Sequence, residues 1–216
     1  MKSKIALVAL VLIATFGALP TALSLSTPTP DFEPITITPP TSITGQWITD
    51  HESAAKFKTF TYAIATDGTV QSDLAEFKRQ VAETLSDSRG WIRANIKFKE
   101  VSSSPQFTIY LSEPARVGAY SGCSSDLSCR SGNRVMINDD RWRLATVEWN
   151  ATGSTLRDYR HLVVNHEVGH WLGHPHLTHT CSAPTQLAPL MIDSFTRHDT
   201  CAPNAWPLNS ELWTSR

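Results

Sequence analysis

Residues 166–176 read HEVGHWLGHPH, and this stretch decides how the fold and the chemistry of the 216-residue chain are interpreted. His166 and His170 lie four residues apart, so on a helix their rings project from one face and can meet one ion. Glu167 directly follows the first histidine and would project beside such an ion rather than bind it. The stretch therefore indicates a metal site on a helix.

The chain that follows this helix supplies a third ligand. Gly173 allows the positive φ with which a chain leaves a helix sharply, and His176 then returns towards the first two imidazoles. Three imidazoles leave one position of a tetrahedral zinc ion open, which is typical of a catalytic site rather than a closed structural one. The pattern HExxHxxGxxH thus predicts a Zn2+ site.

The full pattern is far more specific than its first half. At this chain's own residue frequencies, HExxH arises by chance in about one such chain in a hundred, and the full pattern in roughly one in fifty thousand. The alternative is a helix whose histidines are ordinary surface or core residues. Two polar rings beside a carboxylate would make a poor core face without a metal, so we favour the zinc interpretation.

The flanking sequence predicts the elements around this site. Ser154 is a good N-cap, apolar residues recur at helical spacing after it, and Gly173 ends the helix. Upstream, further patterns predict strands at residues 58–66, 96–101, 106–111 and 134–138 and a helix at residues 71–85. Segregated strands and helices of this kind indicate an α+β fold.

The N-terminus predicts export. Lys2 and Lys4 precede an uncharged apolar run and then small residues, so we assign residues 1–24 to a signal peptide. An uncleaved anchor is the alternative, although the run is short for a bilayer, which needs roughly 20 residues. Residues 25–45, rich in Thr and Pro, predict an extended linker, and residues 46–216 are expected to form one domain. We expect a secreted protein, free or held at the cell surface.

Four cysteines fit an exported chain. An even count in an oxidising compartment indicates disulfides, with free buried thiols as the alternative. Of the three possible pairings we favour Cys123–Cys129 and Cys181–Cys201, because each pair encloses a segment with little structure of its own. The first pair lies within residues 118–132, whose glycines and serines predict a loop.

The charge of the chain argues against two classes of partner. The net charge is −1 with His neutral, so the chain has no basic footprint for nucleic acid and no polybasic segment for anionic lipid. Membrane contact is expected only through the N-terminal segment, if that segment stays uncleaved. We expect a monomer.

The zinc motif resembles that of the metzincin clan of zinc peptidases. This resemblance implies a zincin-like fold with a mixed twisted sheet, a backing helix and an active-site helix. It also implies a methionine turn beneath the zinc, for which Met191 is the candidate and an ordinary core methionine the alternative. Two residues depart from the clan. Asp193 stands where astacin-like and serralysin-like members have a tyrosine that reaches the zinc, and His174 is an extra histidine, expected to be exposed or to support a ligand.

A wider resemblance covers roughly residues 57–208. It is to a family of secreted actinobacterial proteins, defined as a domain of unknown function with a metzincin-like motif. The matching landmarks are residues 60–64, 121–123, 128–130, 135–142, 159–160, 164–166 and 188–191, Cys181, Cys201 and residues 204–207. The resemblance implies a zincin-like fold and peptidase activity, and it names no substrate.

These features predict a zinc-dependent endopeptidase that acts on a peptide or protein, with Glu167 as general base towards a zinc-activated water. One alternative is a hydrolase of cell-wall peptides or amides. Another is a non-catalytic zinc-binding surface module, against which Glu167 argues because a structural site needs no base. A gluzincin takes its third ligand from a downstream glutamate; Glu211 is far enough along the chain, but His176 already fills that role.

Overall fold

The computed structural model describes residues 56–178, 181–193 and 201–216, which are α+β as predicted. The predicted signal peptide and linker lie outside these residues. The strands are β1 (Lys58–Asp67), β2 (Ile96–Glu100), β3 (Phe107–Ser112), β4 (Cys129–Ser131) and β5 (Arg134–Asn138). The helices are α1 (Leu74–Ser86), α2 (Pro114–Gly118), α3 (Asp139–Leu144), α4 (Val147–Ala151) and α5 (Leu156–Leu172), with 3-10 helices at Trp91–Ala94 and Asn209–Glu211.

The five strands form one mixed sheet in the order β2-β1-β3-β5-β4. β1 pairs in parallel with β2 and with β3, and β3 pairs in parallel with β5. Parallel neighbours need crossover connections, and α1 lies in the connection between β1 and β2. β4 pairs antiparallel with β5 and forms an edge of the sheet. The mixed sheet expected from the sequence is therefore present.

Aromatic packing fixes α5, which carries the HExxH residues, to the sheet. Trp171 is buried and stacks on Phe107 of β3, with the ring centroids 4.2 Å apart. It also meets Phe60 of β1 edge-on, at 5.1 Å between centroids. Because aromatic side chains bury large areas and dominate core energetics, these contacts hold the C-terminal part of α5 firmly in place.

The predicted elements are present, and the differences lie in the short elements and the helix ends. α5 begins at Leu156 and is capped by Thr155, whose side chain accepts the Asp158 backbone N–H; Ser154, the predicted cap, is one residue too early. The sequence does not predict α2, α3 or α4, because helices of five or six residues show no helical period. It also assigns β4 to the loop at residues 118–132.

Both predicted disulfides are present. Cys123 is bonded to Cys129, and Cys181 to Cys201, so no described cysteine is free. Two disulfides suggest an oxidising, extracellular environment. In the part of the chain that the structure describes, no helix is both long and apolar enough to cross a membrane.

Candidate metal centre

The three predicted ligands converge on one point. His166 Nε2 lies 3.2 Å from His176 Nε2, and His170 Nε2 lies 2.9 Å from the same atom. The candidate ligand atoms of the three residues all lie within 4.8 Å of one another. Two rings come from consecutive turns of α5, and the third comes from the segment after the helix, as the spacing of the motif predicts.

Hydrogen bonds fix how two of these rings are protonated. His166 Nδ1 lies 2.8 Å from the Leu190 carbonyl oxygen, and His170 Nδ1 lies 2.8 Å from that of His174. A carbonyl oxygen only accepts, so each Nδ1 carries the proton and each Nε2 presents a lone pair. These two lone pairs and the His176 ring lie close enough together to share one cation. The donor set therefore fits a metal ion, with carbonyl partners behind the ligands.

Burial keeps the same two rings uncharged. The pKa of His166 is lowered to about 3, mainly because burial disfavours the charged imidazolium and also because His170 lies beside it. Burial lowers the pKa of His170 to about 4. Both rings are thus neutral at physiological pH, the form that binds a metal. His176 is exposed, with its Nδ1 3.6 Å from an Asp193 carboxylate oxygen.

Glu167 lies beside the ligands without joining them. Its side chain is buried, and its Oε2 has no hydrogen-bond partner among the described residues. Burial raises the pKa of this carboxyl to about 8, while the nearby charge of Arg130 acts in the opposite direction. A carboxyl group beside the ligands with an unpaired oxygen is suited to exchange a proton with a water molecule that enters the site.

Met191 forms the floor of the site, against α5. It is fully buried, and Gly169, between the two helical ligands, lets it approach. A Cβ built on Gly169 would lie 2.5 Å from Met191 Sδ and 3.0 Å from Trp91 Cζ2. Gly169 is a site residue that the sequence does not reveal, because the need for it comes from a residue 22 positions downstream.

Glu211 fixes the turn that carries Leu190 and Met191. Its buried carboxylate accepts backbone N–H groups from Leu190 at 3.0 Å, Met191 at 2.8 Å and Leu208 at 2.8 Å. The carbonyl of Leu190 in turn accepts the proton of His166 Nδ1. Glu211 therefore positions a metal ligand through the turn and is not itself one of the converging residues. No local sequence pattern distinguishes it from any other glutamate.

Gly173 ends α5 with φ +111°, in the left-handed region that favours glycine. A Cβ there would also collide with Ser215 Oγ, because the C-terminal residues pack over the end of the helix. Ser215 N donates to the Leu172 carbonyl at 3.1 Å, and Arg216 Nε donates to that of Trp171 at 2.7 Å. These bonds satisfy carbonyls that a helix end leaves without intrahelical partners.

His174 supports the site through its backbone. Its carbonyl fixes His170, while its ring is buried and lies between Trp91 and Trp213, at centroid distances of 5.0 and 3.9 Å. The ring donates from Nε2 to the Trp213 carbonyl at 2.9 Å. The expectation that His174 is exposed is therefore wrong, and its contact with His170 is made by the backbone carbonyl and not by the imidazole.

The metal centre opens into a cavity of about 430 Å³. Glu167 and the three histidines form one wall, and the loop closed by Cys123–Cys129 forms another. Tyr159 and Val163, from the preceding turns of α5, continue the cavity away from the ligands. The histidines therefore face a space that a ligand could enter.

The second disulfide lies near the floor of the site. Cys181 and Cys201 pack with Ala188 in a small buried cluster, three residues before Met191. The Ala188 N–H donates to the Ala202 carbonyl at 2.9 Å, which ties the two segments together. The bridge thus braces the turn that carries Met191.

Comparison with known proteins identifies one family. The sequence profile of the family described as "Protein of unknown function (DUF3152)" matches residues 45–204. No curated protein and no solved structure matches the chain. The matched range contains the three histidines, Glu167 and Met191, and it ends before Glu211.

Proposed function

The chain belongs to the DUF3152 family, and because that description assigns no activity, we propose from the site itself that the protein is a zinc-dependent endopeptidase of the metzincin type. One observation carries the proposal: three imidazole rings converge beside a buried carboxyl group that is not a ligand. A purely structural metal site would close its fourth position with another ligand.

Zinc is the metal we propose for His166, His170 and His176. Imidazole is a good zinc ligand, and a tetrahedral arrangement of three leaves one position open. A zinc ion bound there would supply Lewis acidity, lowering the pKa of a water molecule and polarising a substrate carbonyl. The neutral state of the buried rings means that metal binding does not first have to displace protons from them at neutral pH.

Glu167 is proposed to move the protons of the reaction. Water adds to the carbonyl carbon of the peptide, and Glu167 accepts the proton that the water loses. The C–N bond then breaks, and Glu167 returns this proton to the amine nitrogen that leaves. Its position beside the cavity, with Oε2 unpaired, suits both steps.

The free edge of β4 is proposed as the place where the peptide binds. Within residues 56–178, 181–193 and 201–216, β4 pairs with β5 on one side only, and its Cys129 and Arg130 line the cavity. An extended peptide can add to such an edge through backbone hydrogen bonds, with its side chains entering adjacent pockets. Metzincins bind substrates in this manner, and a peptide at this edge would lie beside the cavity that Glu167 lines.

The proposal is tested by zinc content and cleavage together. The purified mature protein should contain about one zinc per chain by elemental analysis, as expected for a single three-histidine site. It should cleave a random peptide library, lose cleavage on chelation and regain it with added zinc. Casein and purified peptidoglycan are digested in parallel. Products from peptidoglycan alone would favour a cell-wall hydrolase, and zinc binding without any cleavage would favour a surface module.

A further inference from the structure

Arg130 differs from every other arginine in the described residues. Each of the others pairs with a carboxylate or donates to an oxygen acceptor. The guanidinium of Arg130 has no such partner within the described chain, and its Nε is buried without a hydrogen bond. A partly buried cation without a partner is costly, so a ligand that supplies the missing acceptor would offset this cost.

The position of Arg130 indicates which ligand this is. It is the central residue of β4 and the sole lysine or arginine among the described residues that line the cavity. Its charge acts on both Glu167 and His170, which places it near the point where the reaction would occur. Arg130 and Glu167 line the same cavity, and no ion pair within 4.0 Å joins them in the described chain.

The residue at the position of the metzincin tyrosine does not fit this role. Asp193 occupies the position at which some metzincins have a tyrosine that reaches the substrate oxygen. Its side chain is 64% exposed, lies towards His176 Nδ1 and has no proton to donate when ionised. A donor is therefore required from elsewhere in the cavity.

We propose that Arg130 binds the carbonyl oxygen of the scissile peptide bond and stabilises the negative charge that develops there. The inference rests on the proposed peptidase function. When water adds to the carbonyl carbon and its proton passes to Glu167, the C=O electron pair moves onto this oxygen. The charge remains there until the C–N bond breaks and the pair returns. A guanidinium in a water-poor site offers fixed N–H donors where the charge appears.

Three variants test the role of Arg130. Arg130→Met keeps the length and the apolar stem of the side chain but removes its N–H donors. Arg130→Lys keeps the positive charge but loses the planar pair of guanidinium N–H donors. Arg130→Ala leaves space that added guanidine can fill. Loss of one such donor typically lowers kcat by about 10²–10³-fold. We expect this loss in Arg130→Met with KM changed only a few-fold, a smaller loss in Arg130→Lys, and partial rescue of Arg130→Ala by guanidinium chloride. Arg116→Met, whose exposed guanidinium pairs with Asp67, is the control and should cleave like the parent.

A binding measurement separates this inference from the proposed function. In the probe, a phosphinate replaces the scissile amide of a peptide that the parent cleaves. Calorimetry on the zinc-loaded protein should show affinity lost in Arg130→Met by a factor similar to the loss in kcat, with zinc content unchanged. A parent that binds zinc yet neither cleaves nor binds the probe overturns the proposed function, and the inference with it.

Two other results overturn the inference alone. In the first, the parent cleaves and Arg130→Met matches its kcat and its affinity for the probe. In the second, Arg130→Met leaves kcat intact, but it no longer prefers peptides with a free C-terminal carboxylate to the same peptides with a C-terminal amide, as the parent does. That result would assign Arg130 to recognition of the substrate carboxylate. Guanidine rescue guards against misfolding, because a collapsed site would not recover.

Discussion

Met191 packs close to α5 at Gly169, and this packing decides whether Gly169→Ala raises or lowers the free energy of unfolding. Gly169→Ala places a better helix former in the middle of a helix, which by itself stabilises by about 1 kcal/mol. The new Cβ would, however, lie 2.5 Å from Met191 Sδ and 3.0 Å from Trp91 Cζ2. Carbon and sulfur atoms in ordinary contact are about 3.5–4.0 Å apart, so the floor of the site must move by roughly 1 Å.

The magnitude follows from how little room the neighbours have. Met191 and Trp91 are both fully buried, and overpacking such a core typically costs about 1–3 kcal/mol. After subtracting the gain in helix propensity, we expect Gly169→Ala to lower the free energy of unfolding by up to about 2 kcal/mol. We also expect weaker zinc binding, because the displaced turn carries the Leu190 carbonyl that fixes His166.

Urea unfolding of the chelator-treated protein measures the stability, since bound zinc would add its own contribution. The matched control is the same substitution in a Met191→Ala background, where the obstructing side chain is gone. There Gly169→Ala should be neutral or stabilising, and the double-mutant cycle should give a coupling of about 1–3 kcal/mol. A Gly169→Ala variant that is more stable than the parent, with no coupling to Met191, would refute the packing argument.

Three further predictions concern the supports of the site. Replacing Cys181 and Cys201 by alanine opens a bridge that spans 20 residues and should lower the free energy of unfolding by about 3 kcal/mol; a urea midpoint equal to that of the parent would contradict this. Glu211→Gln leaves the buried Met191 N–H facing an amide NH2, which should cost about 1–3 kcal/mol and weaken zinc in equilibrium dialysis; unchanged zinc affinity would show that Glu211 does not position the site. Burial lowers the pKa of His161 below its ordinary value of 6.5. The unfolded chain therefore binds more protons at this residue than the folded chain does. The stability that neutral His161 contributes is thus lost as the pH falls below about 6.5. The urea midpoint of chelator-treated His161→Gln should therefore change less between pH 7 and 5 than that of the parent, and an identical change would refute this assignment.

The long elements could be predicted because their residues repeat with a period. In α1, Phe77, Val81 and Leu85 are buried four residues apart, which is the pattern of one helix face. Strand β5, with its apolar core at Val135 and Ile137, was equally visible in the sequence. The short helices and β4 were not, because two or three apolar positions cannot establish a period.

The metal ligands could also be predicted, because their geometry is local. His166 and His170 share one helix, and His176 follows after the glycine that ends it, so spacing alone brings the three together. Glu211 and Gly169 contact residues far along the chain, such as Met191, which lies 20 residues from Glu211, and Arg130 reaches the cavity only through the folding of β4. The spacing of residues along the sequence does not indicate such contacts, so these residues can be recognised only in the folded structure.

The most direct test of the central claim is zinc content and peptide cleavage measured side by side on the parent, Glu167→Gln and His176→Ala. Glu167→Gln keeps the size of the side chain and removes the base, so it should hold about one zinc per chain while cleavage falls by about 10²–10⁴-fold. His176→Ala deletes a ligand and should lose zinc itself. Cleavage by Glu167→Gln at the rate of the parent, with zinc bound in both, would contradict the account.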